Sequence, residues 1–145
     1  MAQATHSLEV RRRLKATPER VYQAWTQAET LTRWFAPNEQ VTTVVTALDL
    51  RVGGGYRIEM HLPDGSVPTV IGTYEELSPP HRLAFTWRWE ASADMPDTLV
   101  TIDLVADGDE TDLVLRHTRF DTEESRDRHQ QGWDGCCNRL PGALR

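Results

Sequence analysis

The stretch Thr17-Pro18-Glu19-Arg20-Val21-Tyr22-Gln23-Ala24-Trp25, answered downstream by Leu31, Trp34 and Phe35, decides the architecture. Thr17 can cap the free amides of a helix, Pro18 suits its first position, and Glu19 sits favourably at its positive end. Val21, Ala24, Trp25 and Ala28 then recur at helical spacing, and Leu31, Trp34 and Phe35 extend the apolar stripe. Ala36-Pro37-Asn38 stops it, because the residue before a proline is pushed out of the helical region. The spacing predicts two short helices in tandem near the start of a strand-rich chain.

Working outward, Ser7 to Leu14 reads as a first strand leading into those helices, and Val41 to Leu48 as the next. Gly53-Gly54-Gly55 marks a turn or bulge. Tyr56, Ile58, Met60 and Leu62 alternate with Arg57, Glu59 and His61, which gives one buried and one mixed face. Pro63-Asp64-Gly65 supplies a hairpin. Further strands are expected from Val67 to Leu77, Arg82 to Glu90, Thr98 to Ala106 and Thr111 to Thr118, with Ala91 to Pro96 as a loop. From Thr122 the period becomes helical: His129, Trp133, a cysteine, Leu140 and Leu144 share a face, and Pro141-Gly142 should end or fray the helix. The predicted order is strand, two short helices, six strands and a long helix, an α+β chain.

Its 145 residues suffice for one domain over residues 1–145, burying ~68–70% of the unfolded surface. A net charge of −6 with interspersed signs argues against a nucleic-acid partner, and Arg11-Arg12-Arg13 reads as a strand with solvated side chains. No apolar run is long enough for a membrane span, and Met1 to Ser7 lacks the regions of a signal peptide, so a cytoplasmic protein is expected. Cys136 and Cys137 are adjacent and should be reduced thiols. No metal-ligand spacing, phosphate loop or nucleophile triad is present in the sequence, so no metal, cofactor or catalytic residue is assigned.

Several segments together resemble the helix-grip fold of the START/SRPBCC superfamily. They are Thr17 to Trp25 with Leu31 to Phe35, Val52 to Arg57, Pro63-Asp64-Gly65, Gly72 to Pro79, Arg82 to Trp87, Leu113 to His117, and His129 to Trp133. Within that superfamily the chain is similar to the family named for the activator of the 90-kDa heat-shock protein ATPase. The resemblance implies a curved seven-stranded antiparallel sheet wrapped around the long C-terminal helix. It covers only the C-terminal domain of the two-domain co-chaperone that names the family, so a chaperone partner ranks below ligand binding.

A curved sheet gripping one helix leaves space that is usually apolar with a few polar groups. The expected walls are Trp25, Trp34 and Phe35 from the short helices, and Tyr56, Ile58 and Met60 from the sheet. Phe85, Trp87 and Trp89 add a second wall, and Trp133 and Leu140 come from the last helix. The plain alternative is that these aromatics fill the core. His117 alternates with Leu113 and Leu115, which predicts that it points inward, where it could orient a ligand or bond to the structure; His129 shares a helical face with Trp133. The leading expectation is a hydrophobic or aromatic small molecule held between sheet and helix. A second, implied by the superfamily resemblance, is a cyclase- or hydrolase-like enzyme on a ketide or aromatic substrate, with His117 moving a proton and Glu59 or Tyr56 as weak second groups. A homodimer is also expected, without an assigned interface.

Overall fold

Thr17 caps the first helix as its position predicts: its Oγ1 accepts the Arg20 amide at 3.4 Å, and α1 spans Pro18–Thr26. Helix α2 spans Ala28–Trp34. The Trp34 indole donates to the Ala24 carbonyl at 3.0 Å, and its ring meets Trp25 edge-on at 4.7 Å, so side chains of the stripe bind the two helices to each other.

The computed structural model describes residues 5–92 and 97–144. Around the helices run β1 (His6–Leu14), β2 (Thr42–Leu48), β3 (Gly55–His61) and β4 (Thr69–Ser78). They are followed by β5 (Arg82–Trp89), β6 (Thr98–Asp107), β7 (Glu110–Phe120) and the long helix α3 (Glu123–Ala143). The strands form one antiparallel sheet in the order β1-β7-β6-β5-β4-β3-β2. The first two strands are therefore its opposite edges, and α1 and α2 carry the chain between them. Register shifts at His6/Leu8, Val45/Ala47 and Tyr74/Glu76 mark bulges, which bend strands and help the sheet curve. Helix α3 packs on β1, β7 and α2, with Cys137 and Leu140 buried beneath it.

Gly72 is required by close approach. A Cβ on Gly72 would lie 1.9 Å from the Thr86 carbonyl oxygen and 2.6 Å from the Tyr56 ring. Across that gap the Tyr56 hydroxyl donates to the same carbonyl at 2.6 Å. Tyr56 thus ties β3 to β5 over β4.

Three expectations change. Strand β7 runs two residues past Thr118, to Phe120, because a bulge accommodates Arg119 at φ +73° and lets pairing resume at His6. Pro141 does not end α3, which continues to Ala143. A proline in the last turn disturbs one hydrogen bond of the ladder and no following turn depends on it, and its own carbonyl still accepts the Leu144 amide at 3.2 Å. Val67 lies outside β4 and is exposed. Of the expected loop at Ala91 to Pro96, residues 93–96 lie outside the described residues.

Candidate ligand cavity

One face of α3 is set by spacing alone: Ser125, Arg128, His129, Gly132, Trp133 and Cys136 recur at three and four residues. All six line a cavity of about 830 Å³ between the helix and the sheet. The sheet contributes Met60, Trp87, Trp89, Thr98 and Phe120, and the segment after α2 adds Phe35, Pro37 and Val41. Pro63 and Pro68, flanking the β3–β4 hairpin, complete the wall. The volume falls within the range of small-molecule sites, roughly 300–1,000 Å³.

Gly132 is the bare spot in this lining. A Cβ built there meets nothing within 4 Å, whereas one on Gly135, a turn further on, would lie 2.3 Å from the Pro37 carbonyl oxygen. Gly135 is a point of close approach between helix and loop. Gly132 simply leaves space open.

Behind the wall lies a directed hydrogen-bond chain. An indole can only donate, so the bond of 3.0 Å from Trp133 Nε1 to His117 Nδ1 makes that nitrogen an acceptor. The imidazole proton then sits on Nε2 and is donated to Thr98 Oγ1 at 2.6 Å, and Thr98 donates onward to the Trp87 carbonyl at 2.8 Å. His129 repeats the logic with its nitrogens exchanged. Its Nε2 accepts the Trp89 indole at 3.0 Å, and its Nδ1 donates to the Ser125 carbonyl at 2.8 Å. Both histidines are held neutral. Burial pushes His117 well below its ordinary value, with the nearby His129 adding to the effect. For His129 burial again lowers the value and the Arg128 charge adds to it, while the bond to Ser125 opposes. The two imidazole centroids are 5.3 Å apart, so a charge on either would raise the cost of a charge on the other.

The cysteines carry no nucleophile. Burial pushes the Cys136 thiol, which lines the cavity, far up, and raises Cys137 to about 12. Among the described residues no group of His, Cys, Asp and Glu is arranged to hold a metal ion, and no helix is long and apolar enough to cross a membrane.

The model of the family described as "Activator of Hsp90 ATPase homolog 1-like protein" matches residues 15–145, from the end of β1 through α3. The chain belongs to that family. No curated protein matches it. Among solved structures, protein CV1439 of Chromobacterium violaceum is similar at 29% identity, over 95% of this chain and 96% of its own, with a TM-score of 0.87. CalU16 of Micromonospora echinospora shares 26% identity over 98% and 87% of the two chains, at 0.71. The AHSA1 protein of Silicibacter pomeroyi, at 24% identity over 96% and 97%, shares the fold at 0.83.

In this chain, Met60, Trp87, Trp89, His129 and Trp133 line the cavity. His117 is fully buried one layer behind it. Trp34 and Leu140 are fully buried core residues away from the cavity. Tyr56, Ile58 and Phe85 pack instead around a separate gap of about 20 Å³ with Trp25, Leu31, Tyr74 and Trp87. The strand parity that turns Tyr56, Ile58 and Met60 inward is right, but only the Met60 end of β3 reaches the large cavity. Glu59 sits on the opposite face of β3, bonded by Arg57 at 2.7 Å and His61 at 3.0 Å, which hold its carboxyl below the ordinary value. It is not an inward base.

Sequence reading misses Phe120 and Arg119. From His117, strict alternation turns Phe120 outward; the bulge at Thr118 and Arg119 reverses the parity and buries it. Arg128 and Gly132 are missed for another reason. Neither is apolar, so an apolar-face count passes over them, although their helical spacing with His129 and Trp133 carries the signal.

Proposed function

We propose that this family member binds a hydrophobic or aromatic small molecule between α3 and the sheet. The carrying observation is the aromatic-walled cavity of about 830 Å³ with Gly132 bare at its centre of helical lining. Glycine inside a helix costs about 1 kcal/mol relative to alanine. Nothing packs against Gly132 to explain that cost, so the open volume itself is what the residue preserves.

His117, committed at both nitrogens, acts by positioning Trp133 and the Trp87 backbone rather than by touching the ligand. The enzymatic alternative, with His117 moving a proton, would need that chain to be broken first. The family name also raises a co-chaperone-like role.

Gly132→Leu tests the proposal. Filling the open volume should leave the fold intact by circular dichroism and abolish binding of an apolar fluorescent probe such as N-phenyl-1-naphthylamine. Undiminished probe binding in that variant would sink the cavity assignment.

A further inference from the structure

The charge at the cavity rim is opposite to that of the protein. The chain carries a formal net charge of −6. Yet the charged residues lining the cavity are Arg88, Arg119 and Arg128 against Asp121 alone, among the described residues. Arg88 lies 3.6 Å from Asp97. Arg119 and Arg128 are exposed and make no hydrogen bond or ion pair within the described structure. Every other described arginine except Arg33 is engaged. Arg13, Arg57, Arg82 and Arg116 hold carboxylates, and Arg20 and Arg139 hold backbone carbonyls. Two of the three unengaged guanidinium groups therefore stand at one cavity.

Arg119 is also held in an unusual backbone. Its φ of +73° lies in the left-handed region, which is strained for a residue with a Cβ and which glycine adopts freely. An arginine occupies the position nonetheless, at the bulge that turns Phe120 into the cavity wall. Strain held at a binding rim is a reason to look for function there. Arg128 lies on the cavity face of α3 next to His129, whose own charged form it disfavours.

Resting on the ligand-binding reading, we propose that the cavity takes an organic acid: an amphiphile with an aromatic or aliphatic body and one anionic group. The body lies among Phe35, Trp87, Phe120 and Trp133, and the anion meets Arg119 and Arg128 at the rim. Low-dielectric aromatic walls strengthen that attraction by focusing the field of the two guanidinium groups. Hydrogen bonds to charged partners discriminate by about 1.5–3 kcal/mol, roughly tenfold to a hundredfold in affinity.

The experiment compares two probes with one aromatic body, 8-anilino-1-naphthalenesulfonate and the uncharged N-phenyl-1-naphthylamine, by fluorescence titration of the full chain. The expected result is a preference of roughly tenfold or more for the sulfonate, shrinking as salt rises. In the double variant Arg119→Gly/Arg128→Gln the ratio of the two affinities should approach one. Glycine suits the backbone at 119, so the melting temperature of the variant should hold, which separates a lost anion contact from a damaged fold. Displacement of the sulfonate by an alkyl or aryl carboxylate, but not by the matching alcohol, extends the result to carboxylic acids. Equal binding of both probes to the parent overturns the organic-acid inference and leaves the cavity reading standing. A preference that survives the double variant overturns the assignment to these arginines. Binding of neither probe overturns both readings.

Discussion

At the scale of single residues, the polar interior is organised by what each group can donate. Trp133 Nε1 has only a proton to offer, so His117 must accept at Nδ1 and donate at Nε2, and Thr98 must accept there and donate to the Trp87 carbonyl. Each partner has one role, and removing one leaves a specific orphan. Thr98→Val keeps the shape of the side chain and deletes its oxygen, stranding the His117 Nε2 proton in a fully buried site and the Trp87 carbonyl beside it. The expected cost is about 1–3 kcal/mol, read as a lower urea midpoint with an unchanged slope. A stability equal to that of the parent would mean that His117 is held by packing against Phe120, 4.2 Å away by ring centroids, and not by the chain.

At the scale of elements, two of the three glycines of α3, Gly132 and Gly135, have opposite surroundings, and the same substitution should act with opposite sign at each. Gly132→Ala places a methyl where nothing lies within 4 Å, so helix propensity dominates and stability should rise by about 0.5–1 kcal/mol. Gly135→Ala drives a methyl to 2.3 Å from the Pro37 carbonyl oxygen, a backbone atom that cannot swing aside. There the clash should outweigh propensity and cost about 1–3 kcal/mol. Thermal melts of the pair decide it; equal shifts in one direction would show that the helix-to-loop contact is not tight. The same pair marks what was legible in the sequence. The cap at Thr17, the stripe from Val21 to Phe35 and the strand alternation are local patterns, and the elements follow from them. Along β3 the inward parity was also legible, but not where the cavity ends, since that depends on how far α3 and the 35–41 segment stand from the sheet. Phe120 stayed hidden because a bulge is a two-for-one mismatch between β1 and β7 that neither strand reveals alone. Gly132 and Gly135 are indistinguishable in sequence, since their difference lies wholly in the element opposite.

At the scale of the molecule, the two Trp–His pairs join α3 to the sheet, and their protonation couples that grip to pH. Trp133 on α3 reaches His117 on β7, and Trp89 on β5 reaches His129 on α3. Each histidine accepts an indole proton, so protonating either sets two donors against each other and breaks a bridge between layers. Both have folded values depressed from 6.5, His117 strongly. The unfolded chain therefore binds protons that the native chain refuses. The stability attached to this difference is complete above about pH 6.5 and is lost progressively as pH falls below that value towards the folded ones. Carboxylates such as the exposed Glu9 and Glu90 and the half-buried Glu59 and Glu76 are also depressed, from 4.5, by arginine partners, with Ser78 first for Glu76, and their contribution is likewise lost on acidification. That loss begins only below about pH 4.5, so between about pH 6.5 and 4.5 the histidines act without the carboxylates. The melting temperature should accordingly be level above neutrality, begin to decline below about pH 6.5, and decline more steeply below about pH 4.5, where the carboxylates add their loss. A double replacement, His117→Gln with His129→Gln, offers neutral amides at both sites and should flatten the decline between about pH 6.5 and 4.5 while leaving the carboxylate part below it. A melting temperature that is already flat between about pH 7 and 5 in the parent would mean that the bridges between α3 and the sheet do not respond to protonation in that window.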